Sequence, residues 1–142
     1  MSYDTTKHNL WWMSFSDAEK HMMRHENKNN SLKIMHNTKA TRYGNTVEIR
    51  IHSTDIYRIE KRHDVGNEFA HSVITLDSGG YRTVTTKDRI NRFLPSEYRL
   101  IQRDWHWYLQ HKEYPFTMTA PNEAIWAETT FYDGMQIELP IA

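Results

Sequence analysis

Cysteine is missing from this chain of 142 residues. Its absence excludes a disulfide scaffold, a thiol nucleophile and a thiolate zinc site. An excess of one charge is missing as well, because 18 Lys and Arg stand against 18 Asp and Glu. That balance excludes the strongly basic profile of a nonspecific nucleic-acid binder, although a local basic patch remains open. No apolar run approaches the roughly 18 residues of a membrane span, and the first residues lack the basic-then-apolar pattern of a secretory signal. The length is that of one domain with one core. These features lead us to expect a soluble intracellular protein without a membrane partner.

Apolar residues are also few, at 38%, and the mean hydropathy is −0.82. What is present instead is aromatic and imidazole: 13% of residues are Phe, Trp or Tyr, five of them Trp, and nine residues are His. Such a chain builds its core from few, large side chains, and Trp and Tyr suit sheets and contact surfaces.

Residues 1–30 read as an appendage and 31–142 as a single domain. Leu10, Trp11, Trp12, Met13 and Phe15 form an apolar cluster, either a docking segment for a partner or a cover over the main core. Ser16 to Glu19 reads as a capping box that opens a helix running to about Glu26. Its stripe of Ala18, Met22 and Met23 is thin and predicts weak packing. From Leu32 the period changes to two. Leu32, Ile34 and His36 share a face, a turn falls at Tyr43-Gly44-Asn45, and Val47, Ile49 and Ile51 alternate with polar residues. The alternation continues, less cleanly, through Tyr57 and Ile59. Val73 to Leu76 is a short strand, followed by a turn at Asp77-Ser78-Gly79-Gly80. Thr85 to Asp88 reads as a second capping box. Ile90, Phe93 and Leu94 give that helix an apolar face, and Pro95 stops it. Strands are expected at Tyr98–Arg103, Trp105–Leu109, Phe116–Thr119 and Met135–Leu139. The fold class is α+β: a mostly antiparallel, meandering sheet of about six to eight strands with two short helices.

Four constellations could carry chemistry. The densest runs from Asp77 to Arg89 and joins a glycine turn, hydroxyls, cations and a helix N-terminus. Ser78, Gly79, Gly80, Arg82, Thr83, Thr85, Thr86, Lys87 and Arg89 suit an anion, with Tyr81 placed to stack on a base. Glycine permits close backbone approach, helix N–H groups attract negative charge, and Arg grips phosphate with two parallel bonds. From Tyr81 to Arg92 the cations Arg82, Lys87, Arg89 and Arg92 face the single acid Asp88. The spacing is neither that of a Walker loop nor GxGxxG, and a plain strand–turn–helix junction would carry much the same residues. The second constellation is a pair of His-x-Thr triplets, His36-Asn37-Thr38 and His52-Ser53-Thr54. They resemble the motifs of two-histidine phosphoesterases, in which one His acts as base, the other as acid, and the hydroxyls hold the phosphate. That family places its triplets in two distant halves of the fold, whereas these are 16 residues apart. His52 would otherwise lie on the polar face of its strand.

The third constellation is His21 and His25, four apart on one helix face. HExxH fails because Met22 follows His21, and no set of histidines has ligand spacing, so no metal and no cofactor is expected. The histidines would still make the charge sensitive to mild acid. The fourth is Trp105-His106-Trp107-Tyr108, where alternation puts Trp105 and Trp107 on one face. Beside Arg99, Arg103 and Lys112 that face suits base stacking, and equally a Trp-rich core.

From Asn37 to about Tyr108 the chain resembles a group of small proteins encoded by tailed bacteriophages and related viruses. The residues that carry the resemblance are His52-Ser53-Thr54-Asp55-Ile56 and the long run Ile74-Thr75-Leu76-Asp77-Ser78-Gly79-Gly80-Tyr81-Arg82-Thr83-Val84-Thr85-Thr86-Lys87-Asp88-Arg89-Ile90-Asn91. Phe131-Tyr132-Asp133-Gly134-Met135 fits the same group. Most members carry Asn where Asp77 stands, and the first thirty residues lie outside the resemblance. It implies a viral source and the host cytoplasm as setting, and no particular reaction.

The sequence therefore leads to a noncatalytic phage accessory protein that binds a phosphate-bearing ligand, a nucleotide or short nucleic acid, through the 78–89 segment. A nucleotide signal of host defence is among the ligands such a site would take. The alternatives are a phosphodiesterase or nuclease using His36, Thr38, His52 and Thr54, and a module that blocks a host protein. The oligomeric state is left open.

Overall fold

The computed structural model describes residues 9–63, 66, 69–113 and 125–142. Among them are two helices, α1 (Phe15–His25) and α2 (Val84–Phe93), and nine strands. These are β1 (Ser31–Met35), β2 (Thr38–Tyr43), β3 (Thr46–Ile51), β4 (Thr54–Arg62), β5 (His71–Leu76), β6 (Tyr98–Arg103), β7 (His106–Glu113), β8 (Ile125–Thr130) and β9 (Met135–Leu139). A six-stranded sheet has the order β1-β2-β3-β4-β5-β9, and a second sheet has the order β6-β7-β8. Every pairing is antiparallel. The α+β class holds, with more strands than expected. The strand expected at Phe116–Thr119 lies outside the described residues.

Period two explains the larger sheet. Val47 and Ile49 on β3, Ile59 on β4, Ile74 and Leu76 on β5, and Met135, Ile137 and Leu139 on β9 turn to one face and are buried. That face packs on α1, which supplies Phe15, Ala18 and Met22. Ala18 and Met22 of the thin stripe thus sink completely, and Met23 is left out, 64% exposed. Leu100, Trp107 and Leu109 join the same core from the smaller sheet. A large apolar side chain of this kind contributes about 1.5–3 kcal/mol when fully buried. The opposite face of the larger sheet is ion-paired and wet, with Arg50 on Asp55 (2.8 Å) and Arg58 on Glu48 (3.5 Å).

Both helices begin two residues earlier than expected. Ser14 caps α1, its Oγ accepting the Asp17 N–H, while the Asp17 carboxylate takes the Met13 N–H. Thr83 caps α2, its Oγ1 accepting the Thr86 N–H at 3.1 Å. The C-terminus of α2 is sealed by the N-terminal segment. The Leu10 and Trp11 N–H groups donate to the Arg92 carbonyl, and the Trp12 N–H and the Tyr57 hydroxyl donate to the Phe93 carbonyl. Trp12, Tyr57 and Phe93 then form an aromatic cluster with centroids 4.9–5.9 Å apart. Burial pushes the Tyr57 phenol far above its ordinary range. Helix α2 is therefore fixed at its far end, and its N-terminus lies where the larger sheet ends.

Two further expectations are corrected. Trp105 and Trp107 do not share a face: Trp107 is 1% exposed, whereas Trp105 is 89% exposed. Asp104 and Trp105 form the β6–β7 hairpin turn, both with positive φ (52° and 69°), so the strand begins one residue later. His36 does not continue the face of Leu32 and Ile34. A bulge at Ile34 buries both Ile34 and Met35, and His36 falls exposed in the β1–β2 turn.

Candidate functional site

Antiparallel order sends β1, β3 and β5 toward the same end of the larger sheet, so the segments that follow them gather there. They are His36-Asn37, His52-Ser53 and the Asp77–Thr83 loop that leads into α2. Tyr132–Gly134, which precedes β9, joins them from the other side. The two histidine turns are built alike. Each joins its strands through two residues, each contains one positive φ (Asn37, 58°; His52, 52°), and each lies beside a bulge. The second bulge puts Ile56 and Tyr57 side by side opposite the step from Ile49 to Arg50, and both are buried. The turns also touch, because the His52 N–H donates to the Asn37 carbonyl at 3.1 Å. Positive φ at residues with a side chain costs energy, and bulges re-aim side chains; both features concentrate at functional sites.

The glycine loop closes over this pair. Ser78 is buried, and both its N–H and its Oγ–H donate to the Asp133 carboxylate at 2.7 Å. The Gly79 N–H donates to the Asp77 carboxylate at 2.6 Å and the Gly80 N–H to the Ser78 Oγ at 3.3 Å. The Tyr81 N–H donates to the Ser78 carbonyl. Gly79 has φ +62°, and a Cβ there would lie 2.6 Å from the Thr54 Cγ2. Only glycine permits both the left-handed turn and the close approach to the second histidine turn.

Between these parts lies a cavity of about 650 Å³. Its lining includes His36, Asn37, Ile51, His52, Ser53, Thr54 and Ile56 from the sheet, and Ser78, Tyr81, Thr83, Thr85, Thr86 and Arg89 from the loop and α2. The two sequence constellations, read as rivals, thus meet in one place. Imidazoles, hydroxyls, an amide, a phenol and a guanidinium face it, and no carboxylate is among these residues. Arg89 is anchored by Nε to the Thr38 Oγ1 (3.2 Å) and by Nη1 to Asp88 (2.7 Å). Tyr81 lines the cavity with its side chain 70% exposed.

Not every expected residue reaches it. Gly79 and Gly80 shape the loop without lining the cavity, and their N–H groups are taken by the chain itself. Arg82 lies over the Phe131 ring, 5.2 Å from its centroid, and Lys87 is not among the lining residues. Thr38 is buried, and its hydroxyl donates to the His36 carbonyl while accepting from Arg89, so it positions Arg89 and does not face a ligand. Sequence reasoning missed Asn37, Ser53, Ile51 and Ile56 as lining residues, and Asp133 as the anchor of the loop. The positive φ that favours Asn in turns was the one local signal available for Asn37.

Among the described residues no group of three or more His, Asp or Glu side chains gathers for a metal ion. His21 and His25 pack ring to ring at 5.0 Å on α1. No helix among the described residues is long and apolar enough to cross a membrane.

A family model described as Kyanoviridae Gp96 protein matches residues 15–138. The chain belongs to the Kyanoviridae Gp96 protein family. It is accordingly a phage protein, and the match runs from the first residue of α1 to β9, across every lining residue of the cavity. No curated protein and no solved structure matches the chain.

Proposed function

We propose that this phage accessory protein binds a phosphate-bearing ligand, a nucleotide or a short nucleic acid, in the cavity at the end of the six-stranded sheet, and releases it unchanged. The observation that carries the reading is the composition of the lining: one guanidinium, two imidazoles and several hydroxyls converge without a carboxylate. Such a surface offers donors to phosphate oxygens and no repulsive charge of its own. Arg89 supplies the charge, Thr83, Thr85 and Thr86 at the start of α2 supply hydroxyls, and the exposed Tyr81 ring supplies a stacking face. The setting is the host cytoplasm, where sequestering a nucleotide signal of host defence would serve a phage. Thermal unfolding with added nucleotides tests the reading. A ligand at 100 times its Kd stabilises the fold by about 2.7 kcal/mol. Arg89→Gln cuts that gain by about half or more, and no gain with any nucleotide or oligonucleotide overturns the reading.

A second reading is favoured by one fact, that His36 and His52 line the same cavity. A base and an acid on one phosphodiester are the requirement of metal-independent cleavage. Against it, the Thr38 hydroxyl of the first triplet is committed to Arg89. Product formation from a bound phosphodiester, lost in both His36→Ala and His52→Ala, would replace the binding reading with the catalytic one.

A further inference from the structure

We infer that the phosphate recognised in this cavity is a singly charged phosphodiester, as in a cyclic nucleotide or an internucleotide linkage, and not the terminal phosphates of a nucleoside triphosphate. The inference rests on the reading of the cavity as a phosphate site and adds to it the charge state of the ligand.

Arg89 is the one Arg or Lys among the lining residues. Its neighbour Asp88 is shared, accepting from Arg89 at 2.7 Å and from Arg92 at 3.1 Å, so this trio on α2 keeps one net positive charge. The cations that would have raised the count are turned elsewhere: Arg82 lies over Phe131, and Lys87 does not line the cavity. Two carboxylates stand behind the glycine loop, Asp77 on the Gly79 N–H and Asp133 on the Ser78 N–H and hydroxyl. They consume the amides that would otherwise cradle a polyphosphate, and they add negative charge at its back.

A triphosphate carries several negative charges and is ordinarily held together with Mg²⁺, which takes carboxylate and phosphate oxygens. The lining offers no carboxylate for the ion. Asp55 and Asp77 line a separate hollow beyond Ser53 and Thr54, where Asp55 is paired with Arg50 and Asp77 with the loop. The one net positive charge of this trio, beside the hydroxyls of Thr83, Thr85 and Thr86, matches a diester monoanion.

Competition titrations on the full chain test this. The probes are the four 3′,5′-cyclic ribonucleotides, the dinucleoside monophosphates ApA and UpU, and the matching triphosphates with and without Mg²⁺. The expected result is a diester that binds at least about tenfold more tightly than any triphosphate, with Mg²⁺ giving the triphosphates no advantage. Preference for a cyclic ribonucleotide or for a dinucleoside then identifies which source of the diester the site takes. Arg89→Gln lowers diester affinity about tenfold or more, and Arg89→Lys, which keeps the charge but loses the planar fork, falls between. A triphosphate–Mg²⁺ complex that binds as tightly as the diesters overturns the inference and leaves the phosphate reading standing. Absence of binding by every probe overturns both.

Discussion

At one end of the six-stranded sheet, the two histidine turns, the glycine loop and the start of α2 are tied to one another by hydrogen bonds between residues far apart in the chain. Ser78 reaches Asp133, Arg89 reaches Thr38, and the His52 N–H reaches Asn37. The three-stranded sheet carries an equally dense set of aromatic and charged residues, yet its interactions run across the strands of a single sheet face. Arg99 lies over Trp126 at 3.8 Å, Arg103 over Tyr108 at 4.9 Å, and Arg103 pairs with Glu128. Concavity is the difference. Turns converging from several strands leave a hollow between them, whereas side chains on one sheet face lie flat. Density of chemistry in a sequence is thus a poor guide to a site unless topology folds the dense segments toward each other.

The contrast can be broken or sharpened by substitution, starting with the largest effect. Trp107→Ala, which removes a buried ring packed 5.4 Å from Phe131, should cost about 3–5 kcal/mol in denaturant unfolding. Trp105→Ala, two residues away and exposed, should stay within about 0.5 kcal/mol. Equal costs would mean that the smaller sheet is not divided between core and solvent as described. At the cavity end, Asp133→Ala strips the buried Ser78 of its acceptor and should cost about 1–3 kcal/mol, with loss of nucleotide-induced stabilisation. Gly79→Ala meets both a left-handed φ and Thr54, and should destabilise more than Gly80→Ala, which meets only φ +83° and open space. If the two alanines cost the same in parallel melts, the loop does not press on the second histidine turn.

A further effect is a pH dependence away from both regions. Burial, then the charges of His25 and Arg24, lower the pKa of His21 from 6.5 to about 4. The folded state therefore holds this ring neutral where the unfolded chain protonates it. Stability is full above pH 6.5 and declines as pH falls toward 4, because the unfolded state binds the extra proton. Half-buried, the ring contributes no more than about 1–2 kcal/mol once solvent screening is allowed for. Melting curves between pH 7 and 4 should show a shallower decline in His21→Phe, and an unchanged slope would remove His21 as the source.

Much of the fold was legible where one rule acted alone. Met135, Ile137 and Leu139 alternate cleanly and give β9 its bounds, and Tyr98–Arg103 is likewise β6 as read. Errors fell where local signals competed. Ser14 and Ser16, or Thr83 and Thr85, can each cap a helix. The choice goes to the register that buries Phe15, Ala18 and Met22, or Thr86, Ile90 and Phe93. β2 has Ala40 as its one buried apolar residue, and every residue of β8 is at least partly exposed, so neither shows an alternation to read. The bulges at Ile34 and Ile56 leave no trace in hydrophobic period. For the site, His36, His52 and the loop residues were all singled out, but their meeting was not legible. It depends on which turns share an end of the sheet, and that is a property of strand order.

The central claim, that ligand chemistry belongs to the hollow and not to the flat sheet, is tested most directly by an amide chemical-shift map during titration with a cyclic ribonucleotide. The account predicts saturable shifts at His36–Thr38, His52–Thr54 and Ser78–Arg89, with β6–β8 unmoved. Saturable shifts centred on Arg99, Arg103, Tyr108 and Trp126 would contradict it.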